Sequence, residues 1–289
     1  MAMGLGETAL LGGVAGATIF LGLPVGRVSR LSDRLRVALA MFSAGILAFI
    51  FVDVMAHGQE IVENALGAVK SGDSSPARVV GLFALLAAGF LVGTVGIAAT
   101  ERGWLRRRRR PPPVAGGEAG VVVIPGQVAA LASDGDVARR QALATGMTIA
   151  AAIGLHNFAE GLAIGVSARA GEIGLATVLI IGFALHNATE GFGIVGPLGD
   201  VRPSWTWLAI AGIVGGGPTF LGTLVGYGVT SEPLELCFYA LAGGAILYVI
   251  GEVWTAMRRY GHRELGLCLL ALGFFVGIAT DLIVAYGGG

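Results

Sequence analysis

Apolar runs of about twenty residues recur from one end of this 289-residue chain to the other, and no other feature limits its fold so tightly. A helix of that length crosses the ~30 Å hydrocarbon core of a bilayer, and it satisfies its own backbone hydrogen bonds there. Charged residues make up 13% of the chain, about half the share of a soluble domain. The first run is too long for a removable signal peptide and has no basic segment before it, so it is expected to be a true span. Eight spans are expected, at 7–26, 36–57, 78–100, 141–168, 172–196, 205–229, 233–257 and 264–286. The fold class is an all-α membrane protein of eight transmembrane helices, a single domain over 1–289.

Loops are short except 101–140, which holds Arg106 to Arg110, then Pro111 to Pro113, then a Gly, Ala, Asp and Val stretch. It is expected to be a flexible connector. Basic residues set the orientation. Arg27, Arg30, Arg34 and Arg36 lie in one loop, and Arg102, Arg106 to Arg110, Arg139 and Arg140 in the long one. Arg202, Arg258, Arg259 and Arg263 fall on the same side. Of the nineteen Lys and Arg, only Lys70, Arg78 and Arg169 fall on the other. The long loop is therefore expected in the cytoplasm, with both termini extracytoplasmic. The basic run at 106–110 follows a span directly, so it reads as a membrane anchor and no nucleic-acid partner is expected. Cys237 and Cys268 sit in apolar segments and read as free thiols. Glycine pairs such as Gly12/Gly16, Gly89/Gly93 and Gly222/Gly226 have the spacing of close helix packing in lipid. Among 49 glycines that spacing also arises by chance.

Two near-copies of one motif stand inside these runs: His156-Asn157-Phe158-Ala159-Glu160-Gly161 and His186-Asn187-Ala188-Thr189-Glu190-Gly191. Residues four apart share a helix face, so each copy points an imidazole and a carboxylate the same way. Such groups are costly in hydrocarbon unless they meet one another, water or a cation. They are also ligands that borderline divalent metals accept. His156 and His186 lie about fourteen and fifteen residues from the turn joining spans four and five, ~21–23 Å at the helical rise. They are expected at matching depth on antiparallel helices, with His156, Glu160, His186 and Glu190 around one dication and Asn157 and Asn187 as weak or supporting ligands. Two carboxylates balance a divalent charge, and a His/carboxylate set holds an ion less tightly than thiolates would, as permeation requires. Asp53 and His57, with Glu60 and Glu63 beyond, approach the outer mouth as an entrance that gathers cations. Glu252 is a candidate for the exit, and Asp281 for the entrance.

Eight spans, outward termini, a long cytoplasmic loop after span three and His-Asn-x-x-Glu-Gly in span four together resemble the ZIP (Zrt/Irt-like) family of divalent metal transporters. The copy in span five is similar to that family's other metal-binding helix. The resemblance implies metal movement into the cytoplasm, a 3+2+3 helix arrangement with an inverted repeat, and a homodimer. It implies that His156, Glu160 and Glu190 hold the primary ion and that Asn157 is a secondary ligand, with His186 and Asn187 at positions where the family also places polar ligands. The chain departs from the family in three places. Ala159 and Thr189 stand where many members have proline before the motif glutamate, so milder kinks are expected. The segment Gly215-Gly216-Gly217-Pro218-Thr219-Phe220 lacks the carboxylate of a second metal position, so one principal ion is expected. The long loop has no histidine cluster.

The expected function is transport of a divalent cation through the bacterial inner or plasma membrane, with zinc first and iron, manganese or cadmium also admissible. The alternatives are an intramembrane metal-dependent hydrolase or a membrane metal sensor that binds without transporting. The chain is not expected to be an enzyme: His-Glu-x-x-His is absent, and each motif glutamate is better placed as a ligand than as a base.

Overall fold

The computed structural model describes residues 4–28, 32–99, 126–170, 180, 184, 187–228 and 231–286, without the side chains of 126–135, 167, 170, 284 and 285. Among these residues every regular element is a helix. α1 is Leu5–Ala17, continued by turns over Ile19–Gly22 and Leu23–Arg27. α2 is Asp33–Ser71, and α3 is Pro76–Leu91 with a wide π turn at Val92–Gly96. α4 is Gly126–Ala170, and α5 comprises the helical residues 187–195. α6 is Trp205–Gly228, α7 Glu232–Arg258 and α8 Arg263–Tyr286. Among the described residues seven helices are long and apolar enough to cross a membrane. The expected span at 172–196 lies partly outside the described residues.

Two boundaries differ from the sequence expectation. The second span was placed at 36–57, yet α2 runs on to Ser71. Hydropathy marks where the bilayer ends, whereas the helix needs a stop of its own. That stop is Gly72, left-handed at φ 86°, beyond which the Asp73 N–H donates to the Ala68 carbonyl at 2.8 Å. At the other end the Ser32 hydroxyl accepts from the Leu35 N–H at 3.3 Å. The fourth span was placed at 141–168, but α4 starts at Gly126 within the stretch expected as a connector. Residues 127–132 read Gln-Val-Ala-Ala-Leu-Ala, mostly strong helix formers whose short run a twenty-residue hydropathy window undercounts. The rest of that stretch lies outside the described residues. α4 is continuous through Ala159, with no break at the motif.

The helices pack as two groups. α1, α4, α5 and α6 form one, and α2, α3, α7 and α8 the other. Within each, backbones approach so closely that a Cβ would not fit. Gly16 meets the Gly216 carbonyl, Gly161 the Thr219 carbonyl and Gly222 the Phe158 carbonyl. In the second group Gly45 meets the Leu270 carbonyl and Gly273 the Phe42 carbonyl. All three glycine pairs singled out in the sequence sit at close helix crossings, Gly16, Gly93, Gly222 and Gly226 against backbone carbonyls, Gly12 against the Thr223 side chain and Gly89 against the Ala240 methyl. α4 and α7 form the main contact between groups, and one apolar core containing Leu47, Ile153, Ile194 and Ile246 runs across it.

At one end of the bundle, arginines tie the turns together. Arg27 donates to the Pro203 carbonyl at 2.5 Å and lies over the Trp205 ring. Arg36, counted from sequence as a loop residue, lies in the first turns of α2 and is buried. It donates to Asp200 at 3.0 Å and to the Tyr260 hydroxyl at 2.8 Å. Arg259 donates to the Pro197 carbonyl at 3.0 Å.

Candidate metal centre

Near the middle of α4, His156 and Asn157 have no exposed surface, and Glu160 is 5% exposed. Glu190 of α5 is fully buried beside them. The helical spacing of four brings the His156 imidazole onto Glu160, with Nε2 2.8 Å from Oε1. The same Nε2 lies 3.8 Å from Glu190 Oε1. One imidazole is thus bracketed by carboxylates from two helices. Asn157 binds the arrangement together: its Nδ2 donates to Glu190 Oε2 at 3.2 Å and to the Gly215 carbonyl of α6 at 2.9 Å. Its Oδ1 is buried and accepts no hydrogen bond among the described residues.

Asn187 goes elsewhere. It is fully buried, but its Nδ2 donates to the Ala15 carbonyl of α1 at 3.2 Å, which anchors α5 to α1. His186 lies outside the described residues. Among those described, no three His, Cys, Asp or Glu side chains alone gather tightly enough to enclose an ion. His156 with its two carboxylates is where such donors come together.

Further polar groups lie on α2 toward its arginine-poor end. The His57 Nδ1 is 3.7 Å from Asp53 Oδ1 and 2.9 Å from the Asp53 carbonyl, and its ring lies 5.7 Å from that of Tyr239. Tyr239 donates to Glu235 at 3.1 Å. Asp53 is within electrostatic reach of Asp281 on α8 and of Glu160 and His156 on α4. Glu60 and Glu63 are exposed, and Glu63 accepts from Gln59 at 2.6 Å. Glu252 is half-buried in α7 toward its Arg258 end.

Sequence reasoning missed the Gly215 carbonyl. A signal was present, since Pro218 stands inside α6. Proline cannot donate to the carbonyl four residues before it and crowds that group, which disturbs α6 next to the carbonyl that Asn157 finds. Two further buried hydroxyls, Ser43 and Thr219, make no hydrogen bond among the described residues. Neither carries a motif by which sequence could mark it.

A multi-helix bundle too apolar for water, with an imidazole and two carboxylates buried inside it, is that of a multi-pass membrane protein. Residues 125–250 match the model of the ZIP zinc transporter family. The zinc transporter ZIPB of Bordetella bronchiseptica (strain ATCC BAA-588 / NCTC 13252 / RB50) is 31% identical over 133 residues, covering 44% of this chain and 42% of that protein. The match therefore spans less than half of the relative's length. These matches show that residues 125–250 are similar to the ZIP family, the one that the two motifs led us to expect.

Proposed function

We propose that the protein carries divalent metal cations, zinc first, across the membrane into the cytoplasm through a His/Glu site between α4 and α5. The carrying observation is the fully buried His156 imidazole with the Glu160 and Glu190 carboxylates on its one Nε2 atom. These three are the first ligands, and His186 from the second motif copy completes the set. Two carboxylates bring a bound dication close to neutrality, which makes its stay inside the bilayer affordable. A mixed nitrogen and oxygen shell lets it leave. Asn157 positions Glu190 and offers its free oxygen, while Asn187 holds α5 in place through Ala15. With glycines and Thr219 on α6 where a carboxylate would supply a second position, one principal ion is bound.

Ions enter past Asp53 and His57, with Asp281 adding charge at the mouth, and leave past Glu252. The full chain has eight spans in a 3+2+3 inverted repeat with both termini outside, acts as a homodimer, and opens alternately as its two helix groups rock against one another. It resides in a cell membrane, bacterial inner or plasma.

The test is uptake of radioactive zinc by proteoliposomes containing the purified full chain. His156→Ala combined with Glu190→Ala is expected to reduce uptake at least tenfold while the protein still elutes as a folded species. Uptake equal to the parent's would remove this site assignment. Calorimetric zinc binding without any uptake by the parent would turn the reading toward a sensor.

A further inference from the structure

We propose that the groove between α2, α7 and α8 at the arginine-rich end is a binding site for one anionic phospholipid. Its phosphate would sit on Arg34, Arg258 and Arg263, and an acyl chain on Met41, Trp254 and Met257. Two adjoining cavities make the groove, about 450 and 600 Å³, and they share His262 and Arg263. The first has an apolar wall of Met41, Trp254 and Met257 below Arg258 and Arg263. The second adds Arg34, and Glu264 is the acidic side chain that lines it.

The arginines at this end divide into two sets. Arg27, Arg36 and Arg259 are bound to the protein's own carbonyls, carboxylate and rings. The side chains of Arg34, Arg258 and Arg263 make no hydrogen bond or ion pair among the described residues. Three uncompensated guanidinium groups at the mouth of an apolar groove favour a phosphate diester with a net negative headgroup. A choline or ethanolamine head would bring a fourth cation among them. The apolar wall points to a lipid as the source of that phosphate. So does the outer face of α8, where Leu267, Leu272 and Phe275 are 43%, 52% and 66% exposed and would lie in the acyl-chain region. Basic pockets between membrane helices on the cytoplasmic side are physically suited to anionic headgroups, each arginine near the surface strengthening the contact about fivefold. The proposal depends on membrane embedding and not on the metal reading.

Trp254 provides the probe. The full chain is placed in phosphatidylcholine vesicles containing a fixed fraction of dibrominated lipid, either phosphatidylglycerol or phosphatidylcholine, and tryptophan quenching is measured. Subtracting the Trp254→Phe variant isolates the share from the groove. The brominated anionic lipid is expected to quench Trp254 with an apparent association about fivefold or more above that of the zwitterionic one. The preference should fall partway in Arg258→Gln and reach parity in the Arg34→Gln/Arg258→Gln/Arg263→Gln variant. It should persist in Arg78→Gln at the opposite end. The single variant keeps the test decisive if the triple one does not fold. No preference at Trp254 in the parent, as when a second copy of the chain covers the groove, would overturn the proposal. So would a preference that survives both Arg258→Gln and the triple variant.

Discussion

α4 touches two neighbours in opposite ways. Against α6 it is joined backbone to backbone: Gly154, Gly161 and Gly165 face the Val214, Thr219 and Thr223 carbonyls, and Gly222 and Gly226 of α6 face those of Phe158 and Leu162. Arg169 adds a bond of 3.0 Å to the Tyr227 carbonyl. Against α7 it rests on side chains, with the Phe158 and Phe238 rings 4.7 Å apart. Beside them Leu162, Val166, Leu234 and Phe238 line a void of about 20 Å³. The glycines of α5 and its following turn that face the other group meet a side chain first, Gly193 the Ser43 hydroxyl and Gly196 the Ala40 methyl. Interdigitated backbones have no rotamers to change, whereas side chains can slide and repack. The proposed ligands His156, Glu160 and Glu190, with Asn157 between them, all belong to the closely joined group. A relative movement of the groups would carry the site as a unit past Asp53 and Glu252, which belong to the other.

The harshest way to break this contrast is Gly222→Leu. Its Cβ would meet the Phe158 carbonyl, a group that cannot turn aside. Overpacking typically costs ~1–3 kcal/mol, and more where backbone must move, so we expect loss of the folded species by size-exclusion chromatography. Gly251→Leu on α7, with nothing within 4 Å of a Cβ, is the matched control and should behave as the parent. A Gly222→Leu protein that melts with the parent would show that α4 and α6 are not joined as described. Asn157→Leu comes next. It removes the donor shared by Glu190 and the Gly215 carbonyl, at a cost of ~1–3 kcal/mol. Thermal melts in detergent should register a clear loss, and zinc uptake should fall with it. At the seam, Phe238→Leu keeps most of the volume and should cost less than ~1.5 kcal/mol in the same melts. If it destabilised more than Asn157→Leu, the order of rigidity would be reversed.

Sequence made the site's local half legible and left its partners hidden. The spacing of four places His156 on Glu160, and that contact is present at 2.8 Å. The same spacing in the second copy says which face Asn187 occupies but not that α1 lies against it, and its amide is used up on Ala15. Periodicity fixes direction from a helix axis, while the neighbour in that direction is a property of the whole packing. Glycine spacing carried more than its statistics allowed: Gly12/Gly16, Gly89/Gly93 and Gly222/Gly226 mark true crossings, yet nothing in the residues says which helix each one meets. Seven helices among the described residues are long and apolar enough to span, and α2 and α4 run beyond the expected span ends because lipid contact and helical hydrogen bonding stop for different reasons. Arg36 was misread for a related cause. A guanidinium near a span end looks solvated until Tyr260 and Asp200 are brought over it by the rest of the fold.

The smallest expected effect tests whether charge, rather than packing, fastens the two groups together. Arg36 of α2 reaches across to Asp200, in the connection between α5 and α6, at 3.0 Å. The pair is lopsided: the arginine side chain is 9% exposed and the aspartate 96%. Water competes for such a carboxylate, and ion pairs of this kind contribute little or nothing measurable. Asp200→Asn keeps an acceptor oxygen for Arg36 and removes only the charge. Arg36 retains the Tyr260 hydroxyl at 2.8 Å and the ring beneath it, both within its own group. The melting temperature in detergent should therefore stay within about 1 °C of the parent. A drop of several degrees would mean that this single charge across the seam outweighs its aromatic contacts, and the two groups would then be latched at the arginine-rich end instead of resting on one another.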